Sequence, residues 1–227
     1  MHCDCVTLIN NSIFKQFQNN MLIIKTESIN QAWNQVLLEL YHKGESTDND
    51  KYYRDEPVII EVQKPSIEKK PFEFPMLQVD LDTINNYIVT GQNENEVMHE
   101  WTKIYYHRIW DKPNSQIEYV INKLKNEKYP AGEVQISTWD KNIDQNSKIS
   151  PCTQILWFRI KNQELEIHIH AHSSDAYKKL LMNMQEFVAI QIFVAGELGI
   201  DVGRYYHFVD SCHLHYKDLE KIRHICL

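Results

Sequence analysis

Glycine and proline are scarce in this chain of 227 residues, 6 and 7 respectively, which excludes collagen-like and low-complexity architectures. Long hydrophobic runs are missing too. The longest nearly apolar stretch, Phe187 to Ala195, is interrupted by Gln191 and is far too short to span a bilayer. The first twenty residues hold no basic segment followed by a long apolar core, so no signal peptide is expected. Positive charge is not in excess: 24 Lys+Arg stand against 31 Asp+Glu, a net −7, which argues against a nucleic-acid binder with a large basic surface. The five cysteines (Cys3, Cys5, Cys152, Cys212, Cys226) are odd in number and have no framework spacing. Free thiols in a reducing cytoplasm are the economical reading.

What the chain does have is 43% hydrophobic residues, and its length suits one compact domain with a sizeable core. Met21–Ile24 reads as a strand. Ser28 to Gln31 has capping-box spacing ahead of Ile29, Ala32, Trp33, Val36, Leu37, Leu40 and Tyr41, an amphipathic helix stopped by Gly44. Glu45–Tyr53 reads as a surface loop and Pro57–Val62 as a strand. A second helical patch lies near Asp82–Val89, and Ser115–Glu118 opens another helix with Ile117, Val120, Ile121 and Leu124 on one face. Glu133–Thr138, Gln154–Ile160 and Glu164–Ala171 read as strands. Leu180 to Leu198 is apolar nearly all round, a buried central helix ending at Gly199. Tyr205–Val209 is a final strand before a terminal amphipathic segment. Elements intersperse without a βαβ rhythm, so the expected fold is α+β, one large mixed sheet covered by helices.

Three groups of residues could carry chemistry. Cys152, in Ser150-Pro151-Cys152-Thr153, precedes a strand; it reads either as a small buried residue or as a nucleophile, which would need access and a lowered pKa. His168, His170 and His172 share one face of a strand, as a metal site would want, with His207, His213 and His215 as further donors. Glu166 in the same row favours a merely polar face, so no metal is expected. Ser173-Ser174-Asp175 follows, and Asn183 stands where a helix cap is common.

In order and spacing, Pro151-Cys152, His172-Ser173-Ser174-Asp175, Asn183 and Asp210-Ser211-Cys212-His213-Leu214-His215 resemble the motifs of the thymidylate synthase family. Tyr105-Tyr106-His107-Arg108 and Ser137-Thr138-Trp139-Asp140 resemble the family's active-site Tyr motif and its Trp-Asp/Asn strand end. The compact length and the start at Met21–Trp33 look most like the short archaeal-type branch. The resemblance covers roughly residues 21 to 222. It implies a catalytic domain over residues 21–227 after an N-terminal extension of residues 1–20, acting as a homodimer packed sheet against sheet.

The resemblance further implies that Cys152 adds to C6 of a uracil nucleotide or nucleoside, whose C5 then attacks the one-carbon unit of 5,10-methylenetetrahydrofolate. Asn183 matches the residue that reads the pyrimidine edge, its amide donating and accepting at once. Asp175 matches a carboxylate ordering the ring and folate end, and Tyr106 the Tyr implicated in moving the C5 proton. His213 and His215 match the pair on the sugar hydroxyl, and Ser173 is retained. Several departures stand out. The family's helix-borne Glu has no clear match, Asp82 lying nearby out of register. The phosphate arginines fall on His172 and on Ala131-Gly132, leaving Arg54 as a retained candidate beside Arg108, Lys178 and Lys179.

Three alternatives stay open. A hydroxymethylase on the same scaffold would complete the reaction with water. A non-catalytic pyrimidine-binding homologue would fit the missing Glu and arginines. A His-rich metal protein belongs to a different class altogether. No nucleic-acid or membrane partner is expected.

Overall fold

The computed structural model describes residues 21–45, 52–126, 133–148 and 150–227. Strand β1 (Leu22–Thr26) runs into helix α1 (Ile29–Lys43). Ser28 Oγ accepts from the Gln31 N–H at 3.4 Å. The Gln31 side chain reaches one residue further back than a capping box would, accepting from the Glu27 N–H at 3.1 Å. The apolar stripe of α1 is fully buried, from Ile29 through Trp33 to Leu40. Each such Ile, Val or Leu stabilises the docking by about 1.5–3 kcal/mol.

Six strands form one mixed sheet in the order β1-β2-β6-β5-β4-β3: β2 (Tyr52–Val62), β3 (Gln135–Ser137), β4 (Thr153–Lys161), β5 (Glu164–Asp175) and β6 (Asp201–His215). The pairs β1/β2 and β5/β6 are parallel; β2/β6, β3/β4 and β4/β5 are antiparallel. Period-two alternation sends Val58, Ile60, Leu156, Phe158, Leu165, Ile167 and Val209 into the core. The opposite row holds Trp157, His168, His170, Tyr206 and Phe208, all half-buried.

Two corrections to the sequence reading concern β2 and β6. The first starts at Tyr52 and carries Pro57 next to a register shift between Glu56 and Val58, where a missing N–H is tolerated. The second extends to His215, because β2 pairs with it on one side and β5 on the other.

The helices are α2 (Gln78–Thr90), α3 (Glu100–Trp110), α4 (Gln116–Asn126), α5 (Lys141–Asp144), α6 (Leu180–Leu198) and α7 (Leu219–Cys226). Helix α6 is buried without interruption from Leu180 to Gln191. Gly199 ends it in a left-handed conformation, φ 67°. Gln191, the polar interruption of this helix, has a structural use. Its Nε2 donates to the carbonyls of Leu165, Gly203 and Arg204 at 2.7, 3.0 and 3.2 Å. These lie where the β5/β6 register shifts between Leu165 and Ile167, so the side chain serves carbonyls at the irregularity. Cys152, Cys212 and Cys226 are free thiols; Cys3 and Cys5 fall outside the described residues.

Candidate active site

The C-terminal ends of β5 and β6 and the N-terminus of α6 meet the start of β4 and of α3. Parallel pairing sets Asp175 opposite His213, and the β4/β5 register sets Thr153, next to Cys152, opposite Ala171. These ends enclose a cavity of about 280 Å³ lined by Cys152, Ser173, Asp175, Asn183 and His213, with His99, Trp101, Tyr105, Ser174 and Lys179 completing the wall. Trp33 on α1 secures the turn after β5: its Nε1 donates to the Ala176 carbonyl at 2.9 Å.

Cys152 is half-buried. Burial pushes its thiol pKa up, while the Ser173 hydroxyl, donating to Sγ at 3.7 Å, and the Lys179 ammonium pull it down. Lys179 itself is lowered by burial, against the pull of Glu186, Asp175 and Cys152. Asp175 Oδ1 accepts from the backbone N–H of Tyr177 and Lys178 at 3.1 and 2.9 Å, and its Oδ2 lies 3.3 Å from His215 Nε2. His213 stacks on Tyr52 with ring centroids 4.1 Å apart. Burial lowers its pKa although Asp175 opposes this.

Asn183 sits in the first turn of α6 and is not its cap, which is Lys179. Its Nδ2 donates to Glu186 Oε2 at 2.8 Å. Glu186 is fully buried, and its other oxygen accepts from the Thr102 hydroxyl. Burial pushes this carboxyl up to about 7, with Thr102, Asn183 and Lys179 opposing. Thr102 Oγ also lies 3.0 Å from His99 Nδ1. Burial, with Lys179 adding to it, pushes the His99 imidazole down to about 3.

Five of the nine residues singled out in the sequence therefore share one cavity, and four do not line it. His215 stands behind Asp175. Tyr106 faces away, packed between Tyr87 and Trp110 with centroids at 4.9 and 6.0 Å and lying over Gly91, where a Cβ would collide with its hydroxyl. Its neighbour Tyr105 takes the place in the wall. His172 is turned toward Gln154, its Nδ1 3.3 Å from that amide. Arg54 folds over the Tyr53 ring at 4.0 Å and donates to the Tyr53 carbonyl at 2.9 Å.

Two further cations are also committed: Arg108 forks onto Asp144 at 2.9 and 3.0 Å, and Lys178 pairs with Asp218. Ala131 and Gly132 lie outside the described residues. Asp82 accepts from Gln78 on the exposed side of α2. The cavity and its supports also hold His99, Thr102 and Glu186, which the sequence did not single out, and Lys179 and Tyr105, which it named only as a phosphate candidate and as part of the Tyr motif. The signal available for Glu186 was its spacing: a polar Asn and an acid three apart share a face of an otherwise apolar helix.

The histidine row is packed as rings. His168 stacks on Tyr206 at 4.4 Å and His170 on Phe208 at 5.3 Å. Among the described residues no group of three or more His, Cys, Asp or Glu could hold a metal ion.

The sequence profile of the thymidylate synthase family matches residues 95–226. A protein of Methanocaldococcus jannaschii described as "Putative thymidylate synthase" is 26% identical over 204 residues, 86% of this chain and 91% of its own length. The deoxyuridylate hydroxymethyltransferase of Bacillus phage SP01 is 32% identical over 78 residues, 34% of this chain and 20% of its own. In fold, the chain is similar to the thermostable thymidylate synthase A from Bacillus subtilis, with a TM-score of 0.66 at 15% identity, covering 87% of this chain and 83% of that one.

Proposed function

The chain belongs to the thymidylate synthase family, and from that premise we propose that residues 21–227 form a one-carbon transferase acting on C5 of a uracil ring, with Cys152 as nucleophile. The observation that carries this reading is the convergence of Cys152, Ser173, Asp175, Asn183 and His213 on one cavity. The thiolate adds to C6 and makes C5 nucleophilic. Lys179 is the one Lys or Arg lining the cavity among the described residues, and it favours the thiolate over the thiol. With one N–H of Asn183 held by Glu186, the other N–H and Oδ1 are left for O4 and N3–H of uracil. His213, beside Asp175 and under Tyr52, is the candidate contact for a sugar hydroxyl.

The wall beside the thiol fits a second ring system. Trp101 and His99 meet with centroids 5.4 Å apart, and the indole is held by Nε1 donating to the Ser150 carbonyl at 2.8 Å. That indole would hold methylenetetrahydrofolate, which supplies a one-carbon unit at the oxidation level of formaldehyde when bound. Methylation of a deoxyuridine nucleotide is the leading reaction; hydroxymethylation is the second, favoured by the phage hydroxymethyltransferase match. A homodimer is supported by the sheet face of Ile59, Ile155, Trp157, His168, Tyr206 and Phe208, a shallow apolar concavity suited to a second copy. No helix among the described residues is long and apolar enough to cross a membrane, and a cytoplasmic setting accords with the free thiols.

The test is covalent trapping. A 5-fluoro-deoxyuridine nucleotide with methylenetetrahydrofolate should label Cys152 in the wild type. Cys152→Ser should lose both the label and turnover while keeping its melting temperature. Dihydrofolate absorbance then separates the two reactions, since only methylation oxidises the folate. A wild type that binds no pyrimidine would remove the proposal.

A further inference from the structure

The C5 proton must leave the ring in either reaction, and Tyr106, to which the family resemblance points for this, is turned away from the cavity. A different set of groups lies in the wall. His99 is nine-tenths buried, lines the cavity, and has an Nε2 that is buried without any hydrogen-bond partner. Such an orphaned atom calls for an explanation. Its Nδ1 is 3.0 Å from Thr102 Oγ, and the Thr102 hydroxyl donates to Glu186. A hydroxyl has one proton to give. With that proton on Glu186, Thr102 accepts from His99 Nδ1–H, and Nε2 is left as a bare lone pair.

We propose that His99, Thr102 and Glu186 form a proton relay that takes the C5 proton of the bound pyrimidine, with His99 as the catalytic residue and the other two positioning it. This rests on the cavity being a uracil site. The C5–H bond breaks and its electron pair stays with the ring as the enolate at C4; re-forming C5=C6 then breaks the C6–S bond and returns that bond's pair to the Cys152 thiolate. The proton goes to His99 Nε2. Nδ1–H passes its proton to Thr102 Oγ, and the Thr102 proton passes to Glu186. The net change is a protonated Glu186 and a neutral imidazole in the other tautomer. No oxidant or reductant enters.

The same carboxyl also holds Asn183 Nδ2 at 2.8 Å, which ties the relay to the group that reads the ring. Burial pushes the His99 imidazole down, so it would not keep the proton by itself. The relay ends on Glu186, whose carboxyl burial pushes up to about 7 and which can hold a proton near neutral pH. The family's helix-borne Glu has no counterpart on α2, where Asn85 instead donates to Gln185 Oε1 at 2.8 Å. The acid in this chain stands on α6.

The experiment compares two readouts that share substrate binding and thiol addition but differ in proton removal. Tritium release from a [5-³H]-deoxyuridine nucleotide needs the relay; covalent trapping of Cys152 by the 5-fluoro analogue, which has no C5 proton, does not. His99→Gln and Thr102→Val should slow tritium release by about a hundredfold or more while trapping proceeds. Thr102→Ser, which keeps the hydroxyl, should restore release. If His99→Gln and Thr102→Val release tritium at the wild-type rate, the relay is wrong although the uracil site stands. If trapping and release fall by the same factor, these residues only support the wall, and the relay is again overturned. If the wild type is not trapped at all, the uracil site and the relay fall together.

Discussion

The hydroxyl oxygen of Tyr105 accepts a hydrogen bond from the backbone N–H of Thr153, 3.1 Å away, so α3 holds the residue directly after Cys152. Both partners are buried. In Tyr105→Phe the buried N–H is left unpaired, at a cost of about 1–3 kcal/mol, and the segment carrying Cys152 loses its anchor. Tyr105→Phe should therefore lower both the melting temperature and kcat, whereas Tyr106→Phe, at the Gly91 turn, should change kcat little. The reverse ranking in steady-state assays would restore Tyr106 to the site.

Lys179 should tune the reactivity of the Cys152 thiol. Burial holds the Cys152 thiol above its usual range, and Ser173 and Lys179 are the groups that oppose this. Lys179→Met should move the pH midpoint of Cys152 alkylation by iodoacetamide upward, and Ser173→Ala should do so as well. Mass spectrometry of the labelled peptide across pH 6 to 10 reads this directly. An unmoved midpoint in Lys179→Met would place the ammonium outside the thiolate's reach.

Stability should depend on pH through two buried groups of opposite sign. Glu186 goes from 4.5 to about 7 on folding, so its contribution is full below pH 4.5 and is lost as the pH rises through about 7. His207 goes from 6.5 to about 3 on burial; its contribution is full above pH 6.5 and is lost as the pH falls toward 3. Relative to Glu186→Gln, the wild type should lose about 1.4 kcal/mol per pH unit between those two values. Relative to His207→Leu, it should gain at a similar rate on going from acid toward pH 6.5. Urea titrations at several pH values measure both differences, and parallel stability curves for variant and wild type would contradict them.

Phosphate binding should be weak. Arg108 and Lys178 are paired elsewhere, Arg54 and His172 do not line the cavity, and Lys179 is the Lys that does. One charge-assisted contact contributes about 1.5–3 kcal/mol, so the preference for dUMP over deoxyuridine in kcat/KM should stay within roughly ten- to a hundredfold. A preference of several orders of magnitude that Arg54→Ala abolishes would return Arg54 to the phosphate site.

Much of this was legible along the chain. Leu180–Leu198 reads as a buried helix because apolar residues surround it, and the helix occupies those residues. The stripe from Ile29 to Leu40 and the alternation in Glu164–Ala171 are equally plain. Helix α3 was not anticipated. Its aromatic and charged residues show weak periodicity, and His99 at its N-cap makes no side-chain capping bond. The ends of β6 were missed for a related reason: polar residues such as Asp210 and Ser211 join a strand only because β2 and β5 supply partners on both sides.

The sequence by itself determined the class of fold and named Cys152, Ser173, Asp175, Asn183 and His213 as candidates, since hydrophobic period and motif order are properties of neighbours in the chain. Tertiary structure alone decided which of them meet. Tyr105 and Tyr106 are adjacent in sequence but about 100° apart around a helix, so the rotation of α3 against α6 selects the one in the wall. Thr102 and Glu186 are 84 residues apart, and no local pattern links them. Their contact exists because α6 is buried beside α3, where a carboxyl without water must find its donors in the protein.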